Sequence, residues 1–338
     1  MIFSTSISEL MGTLSGRAGK RRSRQALDRR LTQLENKIDA AMLLNAAAQS
    51  RFNSALQTVS SLAQVEFCVS SQWGEDGILD WIISRLPAIP ERFVEFGVQD
   101  YTESNTRFLL RKRNWRGLVL DSSPDHIRFI KKDAISWHHD LTATEAFITA
   151  DNINSLISGA GFSGELGLLS IDIDGNDYWI WEAIHCVAPV IVVCEYNAVF
   201  GDRHPVTVPY HPSFSRMDAH HSGQYYGASI GALQHLAQSR GYAFLGTNSA
   251  GNNAFFIHSR YAGTILAQIG TPKIHASRFS DMRDQNGHLT PVHGPERFQA
   301  IAHLPVVHVG TKEERTLASL ETVYSEAFLL QMSGLEAF

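Results

Sequence analysis

Residues 93–106, Phe-Val-Glu-Phe-Gly-Val-Gln-Asp-Tyr-Thr-Glu-Ser-Asn-Thr, constrain the fold of this chain more than any other stretch. Arg92 to Phe96 reads as a short buried strand, apolar at Phe93, Val94 and Phe96, just after a helix closed by Pro87 and Pro90. Glu95 interrupts the apolar run immediately before Gly97, where the strand must stop and the chain turn. A second strand, Gly117-Leu-Val-Leu-Asp121, follows some twenty residues later and ends in a carboxylate. Strand, glycine turn, helix, strand and terminal acid form the pattern of a nucleotide site at the carboxyl edge of a parallel sheet.

The turn narrows the ligand. A dinucleotide needs G-x-G-x-x-G, because the backbone must approach a pyrophosphate and offer it amide hydrogens at a helix N-terminus. Only Gly97 is present here, and Asp100 and Glu103 add negative charge where phosphate would sit. Such a turn disfavours pyrophosphate and suits a nucleoside with a positive centre. S-adenosylmethionine, with its sulfonium and ammonium groups, fits that description. A glycine turn in an αβ unit with no ligand at all is the plain alternative.

With 338 residues the chain is long enough for one large or two small domains. Its 44% hydrophobic and 19% charged content is ordinary for a soluble globular protein. The apolar run Val187 to Cys194 is far too short to span a bilayer, and no charged segment leads into a signal-like apolar one. Cys68, Cys186 and Cys194, odd in number and widely spaced, read as reduced core thiols of a cytoplasmic protein. Net charge is −5, yet seven Lys or Arg and one Asp lie between Arg17 and Arg30. Without interleaved aromatics this cluster argues against nucleic-acid binding and allows at most peripheral contact with a membrane.

Four regions follow in order. Residues 1–25, Ser-, Gly- and Arg-rich, read as a disordered basic tail. Residues 26–65 read as a coiled-coil helix, with a four-three spacing at Leu27, Leu31, Leu34, Ile38, Ala41, Asn45, Ala48, Phe52, Ala55, Val59 and Leu62. The expected result is a homo-oligomer; a helix folded back on its own domain is the other outcome. Residues 66–260 read as an α/β domain. Helices are expected at Ile78–Leu86, Thr106–Arg113, Pro124–Lys132, Asn152–Ser158 and Ser229–Arg240. Strands are expected at Leu118–Asp121, ending at Trp137–Asp140, and at Glu165–Asp172, Pro189–Glu195, Tyr242–Gly246 and Asn253–His258. Residues 261–338 form an extension with a tight turn at Asp284–His288 and an amphipathic helix over Thr311–Met332.

Blocks within residues 70 to 258 resemble the FkbM-type methyltransferases, in the branch related to the insect Star protein. They are Ser71-Gln72 with Glu75-Asp76, Phe93 to Gly97 with Asp100, Ser104-Asn-Thr106, Asn114 to Asp121, Asp172 to Tyr178, and Glu195-Tyr-Asn197. The resemblance implies a class I Rossmann-like fold with an antiparallel last strand. It also implies methyl transfer from S-adenosylmethionine to an oxygen, often of a sugar in a glycan or nucleotide sugar. The N-terminal helix and the tail after Tyr261 lie outside it.

On that footing Gln72, Glu95, Gly97, Ser104, Asn105, Asp121, Asp140 and Asp172 are the expected cofactor residues. Asp121 would take both ribose hydroxyls and Asp140 the adenine amino group. Strand ends bring Asp172, Asp174, Asn176 and Asp177 towards Glu195 and Asn197. Asp174, Glu195 and Asn197 are candidate ligands for Mg²⁺ or Mn²⁺, which would orient a hydroxyl and lower its pKa; a role for these acids in the cofactor and turn alone stays open. Residues 200–226, rich in His and Tyr, read as a lid or binding loop, with His220 and His221 (and His211) as candidate bases beside Asp174. No zinc spacing is present.

Two rivals remain. An NAD-dependent sugar-modifying enzyme would use the same sheet. However, the single glycine tells against it, as does the lack of Tyr-x-x-x-Lys: Tyr101, Tyr178 and Tyr196 have Asn105, Glu182 and Phe200 four residues on. A coiled-coil adaptor with a degenerate Rossmann domain would have little reason to keep Glu95, Gly97, Asp121 and Asp172.

Overall fold

The computed structural model describes residues 7–277 and 279–334. Two compact units are distinguished, Met1–Gln49 and Ser50–Phe338. Helix α1 (Ile7–Ala55) makes up the first and runs into the second. Most of the expected disordered tail is therefore helical, and residues 1–6 lie outside the described residues. Its Ala, Leu, Arg, Lys and Gln are strong helix formers that outweigh three glycines. The heptad helix stops at Ala55 rather than near residue 65. Asn53 Nδ2 donates to Val65 O at 2.8 Å, and Val59 N to Gln268 O at 2.8 Å. Val59 and Leu62, expected on the coiled-coil seam, are buried in the core of the second unit.

The α/β body begins with α2 (Glu75–Ser84), β1 (Arg92–Phe96), α3 (Arg107–Arg113), β2 (Arg116–Asp121) and α4 (Pro124–Lys132). It continues through α5 (Ile135–His138), β3 (Leu141–Glu145), α6 (Ile153–Gly159), β4 (Gly164–Ile171), α7 (Asp177–Ala183) and β5 (Val187–Glu195). After β6 (Val206–Thr207) and α8 (Arg216–Ala219) come α9 (Ile230–Ser239), β7 (Tyr242–Thr247), β8 (Asn253–His258) and α10 (Ser259–Leu266). The chain closes with α11 (Arg297–Ile301), β9 (Pro305–His308), β10 (Glu313–Thr316) and α12 (Glu326–Met332).

Seven strands form one sheet in the order β3-β2-β1-β4-β5-β8-β7. β1 to β5 are mutually parallel, and β8 runs antiparallel to both of its neighbours. This is the expected Rossmann-like sheet with an antiparallel strand near its far edge. Its strands are apolar on both faces because helices cover both. Val94, Phe96, Leu118, Leu120, Leu169 and Ile171 pack on one side, and Phe93, Val119, Leu168, Ile191 and Val193 on the other, as the two-residue period of a strand requires. Strand order reverses between β1 and β4, and a ligand crevice opens at the carboxyl ends there.

The third strand is not where the sequence suggested. Ile135–His138 is helical and β3 begins after Asp140. The tail also differs: only Glu326–Met332 of the expected helix forms, while Glu313–Thr316 pairs with β9 in a small sheet β10-β9-β6. The tight turn is present, with Gly287 at φ +80 and Asp284 N bonded to His288 O at 2.9 Å. The extension is not a separate lobe, since Val309, Phe328 and Met332 join the main core. Among the described residues, no helix is long and apolar enough to cross a membrane.

Candidate active site

Gly97 sets the crevice. It sits at φ +70, and a Cβ there would fall 1.6 Å from the carbonyl oxygen of Asp172, so only glycine lets the β1 turn pass the end of β4. Gln99, Tyr101 and Asp174 also have positive φ, at 49°, 63° and 54°. Left-handed non-glycine residues cost energy, and these three lie on the two loops that flank the crevice.

Two hollows meet over this turn and share Gly97, Gln99 and Asp172. One, of about 170 Å³, is lined by Asp121 and Ser122 from the end of β2, by Ala146, Phe147 and Ile148 after β3, and by Asp174, Asn176 and Phe214. The other, of about 90 Å³, is lined by Gln72, Glu95, Glu103, Ser104, Asn105 and Asn253. Together they make a groove with a larger end beside Asp121 and a small acidic end.

Asp121, 8% exposed, is aimed by its neighbours. Oδ2 accepts from Gln99 N at 2.8 Å, and Oδ1 accepts from Ser123 N at 2.8 Å and meets His126 Nδ1 at 3.0 Å. Each carboxylate oxygen offers about two acceptor directions. Oδ2 therefore keeps one open, while Oδ1 gains one only when His126 turns away. Glu95 is committed to structure: Oε1 accepts from Asn105 N at 2.8 Å, and Oε2 from Thr106 N at 3.2 Å and from the Thr106 hydroxyl. It pins the turn that leads into α3 and lines the acidic end. Burial pushes its pKa up to about 7, against the pull of these hydrogen bonds. Asn105 Nδ2 reaches Ser170 Oγ at 3.1 Å, and Ser104 N bonds Ser70 O at 2.8 Å. Gln72 is exposed at the rim.

Carboxylates of Asp172, Asp174 and Glu195 converge beside the groove, with one oxygen of each within 4.8 Å of the others. Glu195 is 7% exposed, and its Oε2 has no partner among the described residues. Asp172, open to the groove yet enclosed by protein, has its pKa raised well above normal by burial and then by the charges of Asp174 and Asp177. Glu195 is raised by burial and then by Asp172 and Asp174. Such a cluster seeks positive charge. Arg216 supplies part of it, bonding Asp174 at 2.7 Å and Asp281 at 3.1 Å, with its guanidinium 3.8 Å from the Tyr226 ring centroid. A third hollow of about 550 Å³ opens beside Asp174, lined by Phe147, Phe214, Arg216, Met217, Asp281 and Arg283.

Four expected site residues fall elsewhere. Asp140 precedes β3, its carbonyl bonded to Gly117 N and its carboxylate 3.6 Å from Arg116. It lies at the other end of the sheet, roughly 16 Å of strand from Asp121. The β3 misplacement caused that error. Asn197, 1% exposed, gives both amide hydrogens to the carbonyls of Gln224 (2.8 Å) and Tyr226 (3.0 Å), and its Oδ1 accepts from Val199 N (2.9 Å), so its amide is engaged in holding the long segment. Asp172 takes its place. Neither His220 nor His221 lines these hollows. His220 bonds Ser222 Oγ at 2.7 Å, and its ring lies 4.2 Å from His221 and 5.8 Å from His303. Instead the long segment presents Phe214, Ser215, Arg216, Met217 and Gly223 to the third hollow.

Sequence reasoning missed Arg216, His126, Asn248 and Asn253. Nothing in their local pattern marked the first two. The Asn252-Asn253 pair at the start of an expected strand was the one available signal.

No family model matches the chain, and no curated protein does. Among solved structures, the chain is similar to the N-terminal domain of EvdMO1 with SAH bound (10% identity, 54% of this chain and 79% of that one, TM-score 0.35). It is also similar to the O-methyltransferase from Bacillus cereus in complex with SAH (14%, 49% and 72%, TM-score 0.33). A third is an S-adenosylmethionine-dependent methyltransferase from Clostridium acetobutylicum ATCC 824 (8%, 54% and 90%, TM-score 0.34). Likenesses this distant carry no argument about activity, which rests on the groove.

Proposed function

We propose that the chain is an S-adenosylmethionine-dependent O-methyltransferase. One observation carries the reading: a single groove over Gly97 joins an oriented diol acceptor, Asp121, to a small end walled by Glu95, Glu103 and Asp172. The first end suits a ribose and base, and the second repels phosphate and suits a cationic amino acid. The donor would supply an electrophilic methyl group on sulfur. Asp121 would hold the ribose, Phe147 and Ile148 would cover the base, and Gly97 would let the ligand lie against the backbone. An acceptor entering by the third hollow would meet Asp174 and Arg216. Calorimetry with S-adenosylhomocysteine and with NAD tests the reading: only the former is expected to bind. Asp121→Ala should weaken it by about 1–3 kcal/mol, the loss of charge-assisted hydrogen bonds. Unchanged affinity in that variant removes the assignment.

Two finer points belong to the same proposal. Asp172, Asp174 and Glu195 offer hard oxygen ligands fit for Mg²⁺ or Mn²⁺, and an orphaned buried Glu195 oxygen favours such an occupant. The cation would orient an acceptor hydroxyl and lower its pKa. A sugar hydroxyl is the acceptor that the FkbM-type blocks imply.

Self-association is proposed through α1. Leu27, Leu31, Leu34 and Ile38 are 47–58% exposed in heptad spacing, a stripe that a second copy of the helix would cover. Light scattering on residues 50–338 should give fewer subunits per particle than the full chain, with donor affinity unchanged. An unchanged subunit number would place the contact elsewhere.

A further inference from the structure

Asn253 opens β8 directly opposite Glu195, the last residue of β5, and opposed residues of an antiparallel pair share one face of the sheet. It is 4% exposed and lines the acidic end of the groove. Its amide is fixed in one sense. Nδ2 donates to Glu75 Oε1 at 2.9 Å, and a carboxylate oxygen cannot face an amide oxygen, so Oδ1 must point the other way. That Oδ1 is buried and has no partner among the described residues.

The bracket behind Asn253 is built for this purpose. Glu75 is fully buried at the start of α2, and its Oε2 accepts from Trp73 N at 3.1 Å. Its Oε1 also accepts Asn248 Nδ2 at 2.7 Å. Asn248 Oδ1 in turn gathers the N–H groups of Gly251, Asn252 and Asn253 at 3.1–3.2 Å, shaping the turn that delivers β8. A buried oriented acceptor left unpaired costs free energy, and a hydrogen-bond donor arriving from the groove restores it. Asp172, Glu95 and Glu103 on the other walls make that donor a cation.

On the methyl-donor reading above, we infer that Asn253 Oδ1, aimed by Glu75, receives the α-ammonium group of the donor's amino acid end. Asn253 is thus the residue that separates a complete donor from an adenosyl thioether lacking that end. Glu75, which touches no ligand, is a positioning residue.

The test compares two ligands on the full chain by calorimetry: S-adenosylhomocysteine, and 5′-methylthioadenosine, which has base, ribose and sulfur but no amino acid. Asn253→Ala should weaken the first about tenfold or more and leave the second within about twofold. Asn253→Ser, a milder change that keeps a hydroxyl acceptor, should give a smaller loss of the same selectivity and stands in if the alanine variant unfolds early in a thermal melt. Equal losses for both ligands, or no loss for either, would overturn the inference and leave the donor reading standing. Wild-type protein that binds neither ligand would overturn both.

Discussion

The two ends of the groove are put together differently. At the end proposed to hold the ribose, Asp121 is aimed by the backbone N–H groups of Gln99 and Ser123 and by His126, all within 22 residues. At the acidic end, the pieces come from far apart: Asn105 meets Ser170 across 65 residues, and Glu75 meets Asn248 and Asn253 across 173 and 178. A local site is fixed once one turn folds; a distributed one exists only when the whole sheet has closed. Substitutions at the acidic end should therefore disturb both folding and selectivity, whereas those at the ribose end should alter affinity alone.

The largest expected effect lies in the carboxylate cluster beside the groove. Glu195→Ala removes the buried member of the carboxylate cluster. If the cluster holds a cation, manganese affinity by titration should fall at least a hundredfold, since even outer partners of metal ligands are worth ten- to a hundredfold. Affinity for S-adenosylhomocysteine should stay near wild type. Manganese binding retained in this variant, or absent from the wild type, would make Arg216 the cluster's intended counter-charge.

Asp76 probes the distributed end. Its Oδ2 accepts the N–H groups of Val69, Ser70 and Ser71 at 2.7, 2.6 and 3.0 Å, and Ser70 O then holds Ser104 N. Asp76→Ala strands the buried donors of Ser70 and Ser71 and the part-buried one of Val69, so urea unfolding should show a loss of about 3 kcal/mol. Because α2 also carries Glu75, the remaining folded protein should lose more affinity for S-adenosylhomocysteine than for 5′-methylthioadenosine. Parallel losses would mean that the two ends are not independent.

This difference also explains what could be read from the chain. Strands β1, β2, β4 and β5 were legible because buried parallel strands are continuous apolar runs and their ends carry Gly97, Asp121 and Glu195 at fixed spacing; the antiparallel β7 and β8 were legible as short apolar runs set off by Gly241, Gly246 and Asn252. β3 was not: Leu141–Glu145 is short and half-buried, while Trp137 and the two histidines before it mimic a strand and belong to a helix and its cap. Asp140 was lost with it. Asn197 failed for another reason. Its type and place at the end of β5 suit a ligand, but both its amide hydrogens go to the carbonyls of Gln224 and Tyr226, far along the chain, which only the folded chain reveals. Arg216 lies in a short helix of a long irregular segment, and no periodicity points it at Asp174. The tail misled because Thr311–Met332 has apolar residues near helical spacing, yet a hairpin with Lys312 at φ +61 consumes its first part.

The smallest effect is the most specific to the ribose end. His126 Nδ1 sits 3.0 Å from Asp121 Oδ1, which Ser123 N already bonds. A ribose diol gripped by both oxygens needs the His126 position on Oδ1, so ligand and imidazole compete for one acceptor direction. The imidazole is part-exposed and solvated when it leaves, so its hydrogen bond is worth no more than about 0.5–1 kcal/mol net. His126→Ala should then raise affinity for S-adenosylhomocysteine and for 5′-methylthioadenosine by the same small factor, about two- to fivefold, because only the ribose is involved. A rise confined to one ligand would show that His126 reaches beyond the ribose end. A fall in both would show that the imidazole stays and supports the ligand, leaving Asp121 to hold a single hydroxyl through Oδ2.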